Sequence, residues 1–404
     1  RQPPRGIPHS EFTISNRASM RNLESPGRSP AHGVNGMAAS SHTLSTATAI
    51  DILRRGGNAM DAAIAACAVQ CVVEPESTGI GGDCFCLYAP DGSDEIIAFN
   101  GSGKTPMAAS LEWYLENRFT EIPRQSPHAA VVPGAVDAWH QLNRDHGSLE
   151  LDVLMQPAIS YARDGYPISS RVSIDFASQA EIIGQDKNLK RVFMSEGRTL
   201  DVGELHYQPE LADTLDAIAK KGRDAFYFGE IAEDMVHYLK SLGGLHTMND
   251  FADVTGEYVK PISTEFRGYD IWECPPNGQG VIALELLNIM SGFETEGVDP
   301  ISVERLHLEI EAGRLAYQDR SIYVADPSYA DVPISALLSS EHADKLRTAI
   351  NPTQRTIDLP KPSLPNHSST VYISVVDKNG NTCSFINTLF NNFGAGLMAP
   401  KSGV

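Results

Sequence analysis

The sequence predicts an α+β protein in which a long, mainly helical region precedes a β-hairpin. Three features of the 404 residues indicate this class. An Ala-rich, nearly all-apolar segment up to Val73 has the composition of a deeply buried helix. Amphipathic helical segments continue through the middle of the chain. Near the end, β-branched and aromatic residues between Thr370 and Thr388 surround a Gly-containing turn, which is typical of a hairpin.

The elements of the first third follow from local signals. A run of good helix formers from Ser45 to Arg55 stops at two glycines. Asn58 then caps the apolar helix, which has Asp61 in its first turn. After Pro75 comes a Gly-rich loop over residues 76–83, and a strand is predicted over residues 84–88.

The central region is predicted to be a helical scaffold. Periodic apolar residues predict helices over residues 133–142, 151–162 and 209–221. Another helix is expected to start with Asp299 as its cap and Pro300 at its first position, and to run to about Tyr317. The neighbouring charges of Asp319 and Arg320 are interpreted as an ion pair at a helix end.

Composition divides the chain into four regions. Residues 1–30 are rich in Arg, Pro and Ser and are expected to form a flexible arm. Residues 31–349 hold the helices and the first strands. Residues 350–369 contain four prolines and predict a flexible linker, and residues 370–404 begin with the hairpin.

Charge and hydropathy exclude two classes of partner. The formal net charge of −19 opposes contact with a polyanion, so nucleic acid is not expected to bind. The longest apolar run, residues 62–69, is much shorter than the roughly 18–20 residues that cross a bilayer, so no membrane partner is expected. Because residues 1–30 contain no apolar core of a signal peptide, the sequence leaves the compartment open and favours the cytoplasm.

The hairpin turn determines which residues face each other. A three-residue loop of Lys378, Asn379 and a left-handed Gly380 would set Asp377 opposite Asn381. Thr370 would then lie opposite Thr388. A two-residue loop would shift this register and place the two hydroxyl groups on opposite faces of the sheet.

A Thr at the start of a strand, after a flexible linker, has the position that an N-terminal nucleophile requires. Its hydroxyl can attack the preceding carbonyl, and hydrolysis of the resulting ester frees a new N-terminal Thr. The freed α-amine, with a reference pKa of about 7.7–8.0, can then act as the general base. This signal alone is weak, because many ordinary strands begin with Thr.

Several ordered segments make the chain resemble the γ-glutamyltransferase family of N-terminal nucleophile hydrolases, also called γ-glutamyltranspeptidases or glutathione hydrolases. The strings that carry the resemblance include Arg54-Arg55-Gly56-Gly57-Asn58-Ala59, Gly79-Ile80-Gly81-Gly82-Asp83, Val132-Pro133-Gly134-Ala135, Pro275-Pro276-Asn277-Gly278-Gln279-Gly280, Asp319-Arg320, Asp326-Pro327 and Thr370-Val371-Tyr372-Ile373. The resemblance covers residues from about 33 to 404. It implies a four-layer αββα sandwich, with two central sheets covered by helices.

The resemblance also implies the chemistry. Thr370 matches the nucleophile of the family, and self-cleavage is expected between Ser369 and Thr370. Residues 31–349 would belong to a large subunit and residues 370–404 would begin a small one, in a chain shorter than the family pattern. Thr388 matches the second hydroxyl that binds the nucleophile. The family's oxyanion-hole residues are expected beyond residue 404.

Two departures from the transpeptidase pattern concern the substrate. Ser102 occupies the position of the Arg that grips the α-carboxylate of the substrate, and Lys104 could compensate for that loss. Phe390 replaces an Asn near the α-amino group, and Asn391 is the nearest polar substitute. An aromatic residue there favours an apolar acyl group, as in the acylase-like branch that includes cephalosporin-acylase relatives.

The predicted function is therefore a self-processing Thr amidohydrolase or acyltransferase that cleaves γ-glutamyl or related acyl amides. Its partners would be a small amide substrate and the two subunits of one precursor. One alternative is an acylase on non-glutamyl amides, and another is an uncleaved binding protein. No cofactor is expected, and no metal, because the His and Cys residues show no ligand spacing.

Overall fold

A computed structural model describes residues 30–91, 93–356 and 370–404. The predicted arm, apart from residue 30, most of the predicted linker, and Ser369 with the predicted cleavage site lie outside the described residues. Residues 1–35 and Gly36–Val404 form separate units. Within the first unit, residues 30–35 contain no helix or strand, and the elements below belong to the second unit.

The second unit combines helices and strands, as predicted. The helices are α1 (Thr43–Arg54), α2 (Ala59–Val73), α3 (Leu111–Glu116), α4 (Ala135–His146), α5 (Leu151–Asp164), α6 (Ser170–Ser178), α7 (Ala180–Gln185), α8 (Lys187–Phe193), α9 (Pro209–Lys221), α10 (Arg223–Tyr227), α11 (Glu230–Ser241), α12 (Met248–Ala252), α13 (Gly280–Met290), α14 (Val303–Tyr323), α15 (Ile334–Leu337) and α16 (Ser340–Ala349). The strands are β1 (Gly36–Ala39), β2 (Asp83–Ala89), β3 (Ile97–Gly101), β4 (Tyr166–Pro167), β5 (Met194–Ser195), β6 (Arg198–Thr199), β7 (Leu205–His206), β8 (Glu257–Val259), β9 (Ile262–Phe266), β10 (Tyr269–Glu273), β11 (Val371–Asp377) and β12 (Thr382–Thr388).

The sequence signals for the apolar helix α2 are confirmed. The Asn58 side chain accepts from the Asp61 amide, and the Asp61 carboxylate accepts from the Asn58 amide, which forms a capping box. Every residue of α2 is buried. The helix packs against α1, α5, β11 and β12, so it forms the centre of the core.

The predicted start of α14 is wrong by about one turn. Ser302, not Asp299, caps the helix, because its hydroxyl accepts from the Arg305 amide. The Asp299 carboxylate instead accepts from the Ile301 amide and holds a turn before the helix. The helix also continues to Tyr323, beyond the predicted end.

One six-stranded antiparallel sheet, in the order β1-β11-β12-β2-β3-β8, supports the unit. In β11 and β12 every second residue is buried against the core, including Ile373, Val375 and Phe385. The intervening residues, such as Ser384 and Ile386, point to the other face. This alternation leaves one face of the hairpin for a site.

A second apolar cluster lies among α13, α14 and α16, next to the ribbon of β9 and β10. Its buried members include Val281, Ile289, Ala312 and Leu315. Among the described residues no helix is both long and apolar enough to cross a membrane.

Candidate active site

The hairpin has the register that the three-residue turn predicts. Val376 pairs with Thr382, and the Asp377 amide donates to the Asn381 carbonyl at 3.0 Å. Gly380 has a φ of +92°, which is the left-handed conformation that the loop requires. Val371 pairs with Asn387 at the other end of the ladder.

Thr370 precedes the first residue of β11, and its side chain faces Thr388. The two hydroxyl oxygens lie 3.1 Å apart, which is a hydrogen-bond distance. The Phe390 amide donates to the Thr388 hydroxyl at 2.9 Å. The Thr388 oxygen accepts this one bond and keeps its own proton, so either hydroxyl can be the donor in the bond between Thr370 and Thr388.

Two buried side chains hold the hairpin against the ends of α2. Near its turn, the Asp377 carboxylate accepts from the Ala59 amide at 3.1 Å, at the start of the helix. Near its open end, the buried Asn387 side chain donates to the Thr78 hydroxyl at 2.9 Å and to the Gly79 carbonyl at 3.0 Å. The strand that carries Thr388 is thereby fixed to the Gly-rich loop.

A cavity of about 1020 Å³ lies over the exposed face of the hairpin. Thr370 and Thr388 both line it, which makes it the candidate active site. Its walls come from β2, from the segment after β3, from the loop before α13, and from α13 and α14; they include Phe85, Ser102, Asn277, Leu286, Tyr317 and Arg320. The predicted nucleophile therefore faces a space large enough for a small molecule.

The Gly-rich loop lines a second cavity of about 390 Å³, which shares Thr388 and Phe390 with the first. Gly82 is required by the close approach of this loop to the hairpin. A Cβ atom on Gly82 would lie 2.1 Å from the Thr388 carbonyl oxygen, closer than any contact that packing tolerates. The Gly82 carbonyl also accepts from the amides of Gly134 and Ala135, where α4 begins.

Asp83 lies directly opposite Thr388 in the sheet and lines both cavities. Burial raises the pKa of its carboxyl group to about 6, and a hydrogen bond from the Gly103 amide at 2.7 Å opposes the shift. The Asp83 carboxylate thus caps the Gly103 amide, and it is a titratable group in the residue that pairs with Thr388.

The two residues predicted to replace the missing Arg lie in different surroundings. Ser102 lines the larger cavity, where its hydroxyl donates to the Asn100 side chain at 2.8 Å and accepts from Asn277 at 3.0 Å. Lys104 is exposed and lines neither cavity. Only Ser102 of this pair is therefore placed near Thr370.

Phe390 and Asn391, the two residues after Thr388 that are predicted to contribute to substrate binding, also lie in different surroundings. Phe390 is 49% exposed, has a φ of +68°, and lines both cavities. Asn391 lines neither; its carbonyl accepts from the Gly394 amide at 2.7 Å and closes a turn. Of these two residues, only Phe390 therefore contributes a surface to the cavities.

Sequence reasoning missed a positive charge in the site. The predicted ion pair between Asp319 and Arg320 is wrong, because the Asp319 carboxylate binds His342 instead, at 2.6 Å. Arg320 lines the larger cavity, and its buried Nη1 atom has no hydrogen-bond partner within the described ranges. Arg320 is the basic residue among those described that line this cavity.

Comparison with known proteins gives a consistent result. The family model described as Gamma-glutamyltranspeptidase matches residues 45–404. The chain is 34% identical over 373 residues to the glutathione hydrolase-like YwrD proenzyme of Bacillus subtilis (strain 168), covering 92% of this chain and 70% of that protein. Both matches agree with the resemblance seen in the sequence.

Solved structures point the same way. A cephalosporin acylase from Bacillus halodurans matches with a TM-score of 0.86 and 37% identity, covering 95% of this chain and 71% of the other. The γ-glutamyltranspeptidase of Helicobacter pylori matches with a TM-score of 0.74 and 29% identity, covering 84% and 97%. These neighbours confirm the predicted fold class, that of the N-terminal nucleophile hydrolases.

Proposed function

The chain belongs to the gamma-glutamyltranspeptidase family, and we propose that it is a self-processing amidohydrolase with Thr370 as its nucleophile. One observation carries the proposal. The hydroxyl groups of Thr370 and Thr388 lie 3.1 Å apart on the floor of a cavity of about 1020 Å³. The sequence match of both residues to the family pattern supports the same roles.

Processing begins with attack of the Thr370 hydroxyl oxygen on the carbonyl carbon of Ser369. The C–N bond breaks as the new C–O bond forms, so the peptide becomes an ester and the Thr370 nitrogen becomes an amine. Water then hydrolyses the ester. The products are a carboxylate on Ser369 and a free hydroxyl and α-amine on Thr370.

Turnover uses the same atoms again. The freed α-amine accepts the Thr370 hydroxyl proton as the oxygen attacks a substrate amide, and that proton passes to the leaving amine. The acyl group stays on Thr370 as an ester. Water resolves the ester in hydrolysis, and an acceptor amine resolves it in transfer.

Thr388 orients the nucleophile. With the Phe390 amide donating to its oxygen, the Thr388 hydroxyl can donate to the Thr370 oxygen and stabilise negative charge that develops there. The Asn387 contacts with Thr78 and Gly79 hold Thr388 in this position.

Intact-mass spectrometry with N-terminal sequencing tests the nucleophile. We expect the purified protein to release a fragment that begins at Thr370, Thr370→Ser to retain cleavage, and Thr370→Ala to remain uncut. Cleavage at another bond, or cleavage that persists in Thr370→Ala, would refute the assignment. An uncut, folded wild type after long incubation would make the chain a non-catalytic binding protein.

Two classes of acyl group are candidates for the substrate. γ-Glutamyl amides are one substrate class, and a specific observation favours the alternative of an acylase: Phe390 presents an aromatic surface beside Thr388, and Ser102 supplies no charge. Arg320 provides a cation elsewhere in the cavity, which suits an acyl group that ends in a carboxylate. A γ-glutamyl anilide and an aryl-acyl amide, compared at equal concentration, separate the two classes.

A further inference from the structure

Three side chains on three helices of the second apolar cluster converge away from the Thr370 cavity. Glu285 lies on α13, Asp319 on α14 and His342 on α16. His342 Nε2 is 2.6 Å from an Asp319 oxygen and 3.5 Å from a Glu285 oxygen. One nitrogen or oxygen atom of each residue lies within 4.8 Å of the other two.

Glu285 is the unusual member of this group. Its side chain is fully buried, and neither carboxylate oxygen accepts a hydrogen bond within the described residues. A buried carboxyl group with both oxygens unpartnered is costly unless a cation or a proton compensates it.

The surrounding charges do not supply that compensation. In the part of the chain that the structure describes, no Lys or Arg forms an ion pair with Glu285 or Asp319. His342 is the one basic group in contact, and one imidazole cannot neutralise two carboxylates. The cluster therefore has the donor atoms and the charge deficit of a cation site.

We propose that Glu285, Asp319 and His342 bind a divalent transition-metal cation of the zinc class. Tetrahedral Zn²⁺, with ligands at about 2.0–2.2 Å, sets its ligand atoms about 3.3 Å apart. The distance from His342 to Glu285 already fits, and the shorter distance to Asp319 needs an opening of less than about 1 Å. The His342 side chain is 24% exposed, so the cluster is not sealed from solvent.

The donor set distinguishes among metals. An imidazole nitrogen with two carboxylates suits Zn²⁺ and its transition-metal neighbours, whereas Mg²⁺ and Ca²⁺ prefer oxygen ligands alone. The expected role is structural. The cation would tie α13, α14 and α16 together, and Leu286 and Arg320, next to two of the ligands, line the Thr370 cavity.

Metal binding can be tested on the full chain without using its activity. After EDTA treatment, the protein is dialysed against micromolar ZnCl₂ and its metal content is measured; Co²⁺ is added separately and its visible absorption recorded. We expect about one Zn²⁺ per chain, a tetrahedral Co²⁺ spectrum, and a rise of roughly 3–8 °C in the thermal midpoint with Zn²⁺. Mg²⁺ should produce no such rise.

Variants decide whether the bound metal is at this cluster. His342→Ala and the isosteric Glu285→Gln should each lose the Zn²⁺ and the Co²⁺ spectrum, whereas His237→Ala, an exposed histidine on α11, should keep both. Because Glu285→Gln removes a buried charge, it should fold even where His342→Ala does not. The proposal is overturned if the wild type keeps less than a tenth of an equivalent, or if both cluster variants respond to Zn²⁺ as the wild type does.

Discussion

The Thr78 hydroxyl donates to the backbone carbonyl oxygen of Asn387 at 3.0 Å, and the side-chain amide of Asn387 donates back to the Thr78 hydroxyl at 2.9 Å. Both side chains are buried. This reciprocal pair joins the Gly-rich loop to the strand that carries Thr388, so the position of the candidate site depends on it.

Thr78→Val tests that dependence. The substitution keeps the shape but leaves the Asn387 carbonyl without its hydroxyl donor, so we expect a loss of about 1–3 kcal/mol in the free energy of unfolding. Urea denaturation measures it. Thr78→Ser, which keeps the hydroxyl, should lose much less, and equal stability of wild type and Thr78→Val would contradict the role of the pair.

Thr388→Val removes the hydroxyl that faces the nucleophile. A hydrogen bond to developing charge contributes about 1.5–3 kcal/mol, so fragment release and turnover should slow by about 10- to 100-fold. Time-resolved mass spectrometry follows the fragment, and Thr388→Ser should recover most of the rate. An unchanged rate in a folded Thr388→Val protein would remove Thr388 from the mechanism.

Gly82→Ala places a methyl group against the Thr388 carbonyl oxygen. The loop or the strand must move, so we expect about 1–3 kcal/mol of destabilisation together with slower self-cleavage. Gly184→Ala is the matched control, because its added Cβ would meet only the Met194 sulfur, at 4.0 Å. If both variants unfold at the same urea concentration, Gly82 is not sterically required.

Asp83→Asn should change how stability depends on pH. Between about pH 4 and 6 the folded protein keeps a proton on Asp83 that the unfolded chain has released, so its free energy of unfolding falls as pH rises through this window. Asn cannot titrate, so the stability of the variant relative to wild type should rise by up to roughly 3 kcal/mol as the pH increases through this window. Denaturation curves at several pH values measure the difference, and parallel profiles would argue against a raised pKa.

Arg320→Gln tests the cation in the cavity. We expect kcat/KM for acyl donors that end in a carboxylate to fall by about 10- to 100-fold, with little change for uncharged acyl amides of equal length. Lys104→Gln removes the exposed charge outside the cavity and serves as the control. If Lys104→Gln reduces the rate and Arg320→Gln does not, Lys104 is the residue that grips the substrate.

The parts of the site that follow from local sequence were predictable. With Lys378, Asn379 and a left-handed Gly380 as a three-residue loop, the pairing across the hairpin follows by counting. The capping box of α2 is equally local, because Asn58 and Asp61 satisfy each other within one turn. Such features depend on neighbours in sequence, so one sequence is enough to read them.

The parts that depend on packing between distant elements were not predictable. Asp319 binds His342 rather than the adjacent Arg320, because α14 packs against α16 and the two neighbours point in different directions. Lys104, which could have compensated for the missing Arg, is exposed and does not line the cavity. The sequence shows which charges exist, but helix packing decides which of them meet.

Self-cleavage before Thr370 would divide the strands of the six-stranded sheet between two polypeptides. The hairpin of β11 and β12 lies between β1 and β2, which both come from the part of the chain before Thr370. The two products of cleavage would therefore be interleaved, each holding the other along full ladders of backbone hydrogen bonds. The backbone hydrogen bonds of the sheet would hold the two products together without the peptide bond before Thr370. The products would separate only if the sheet came apart.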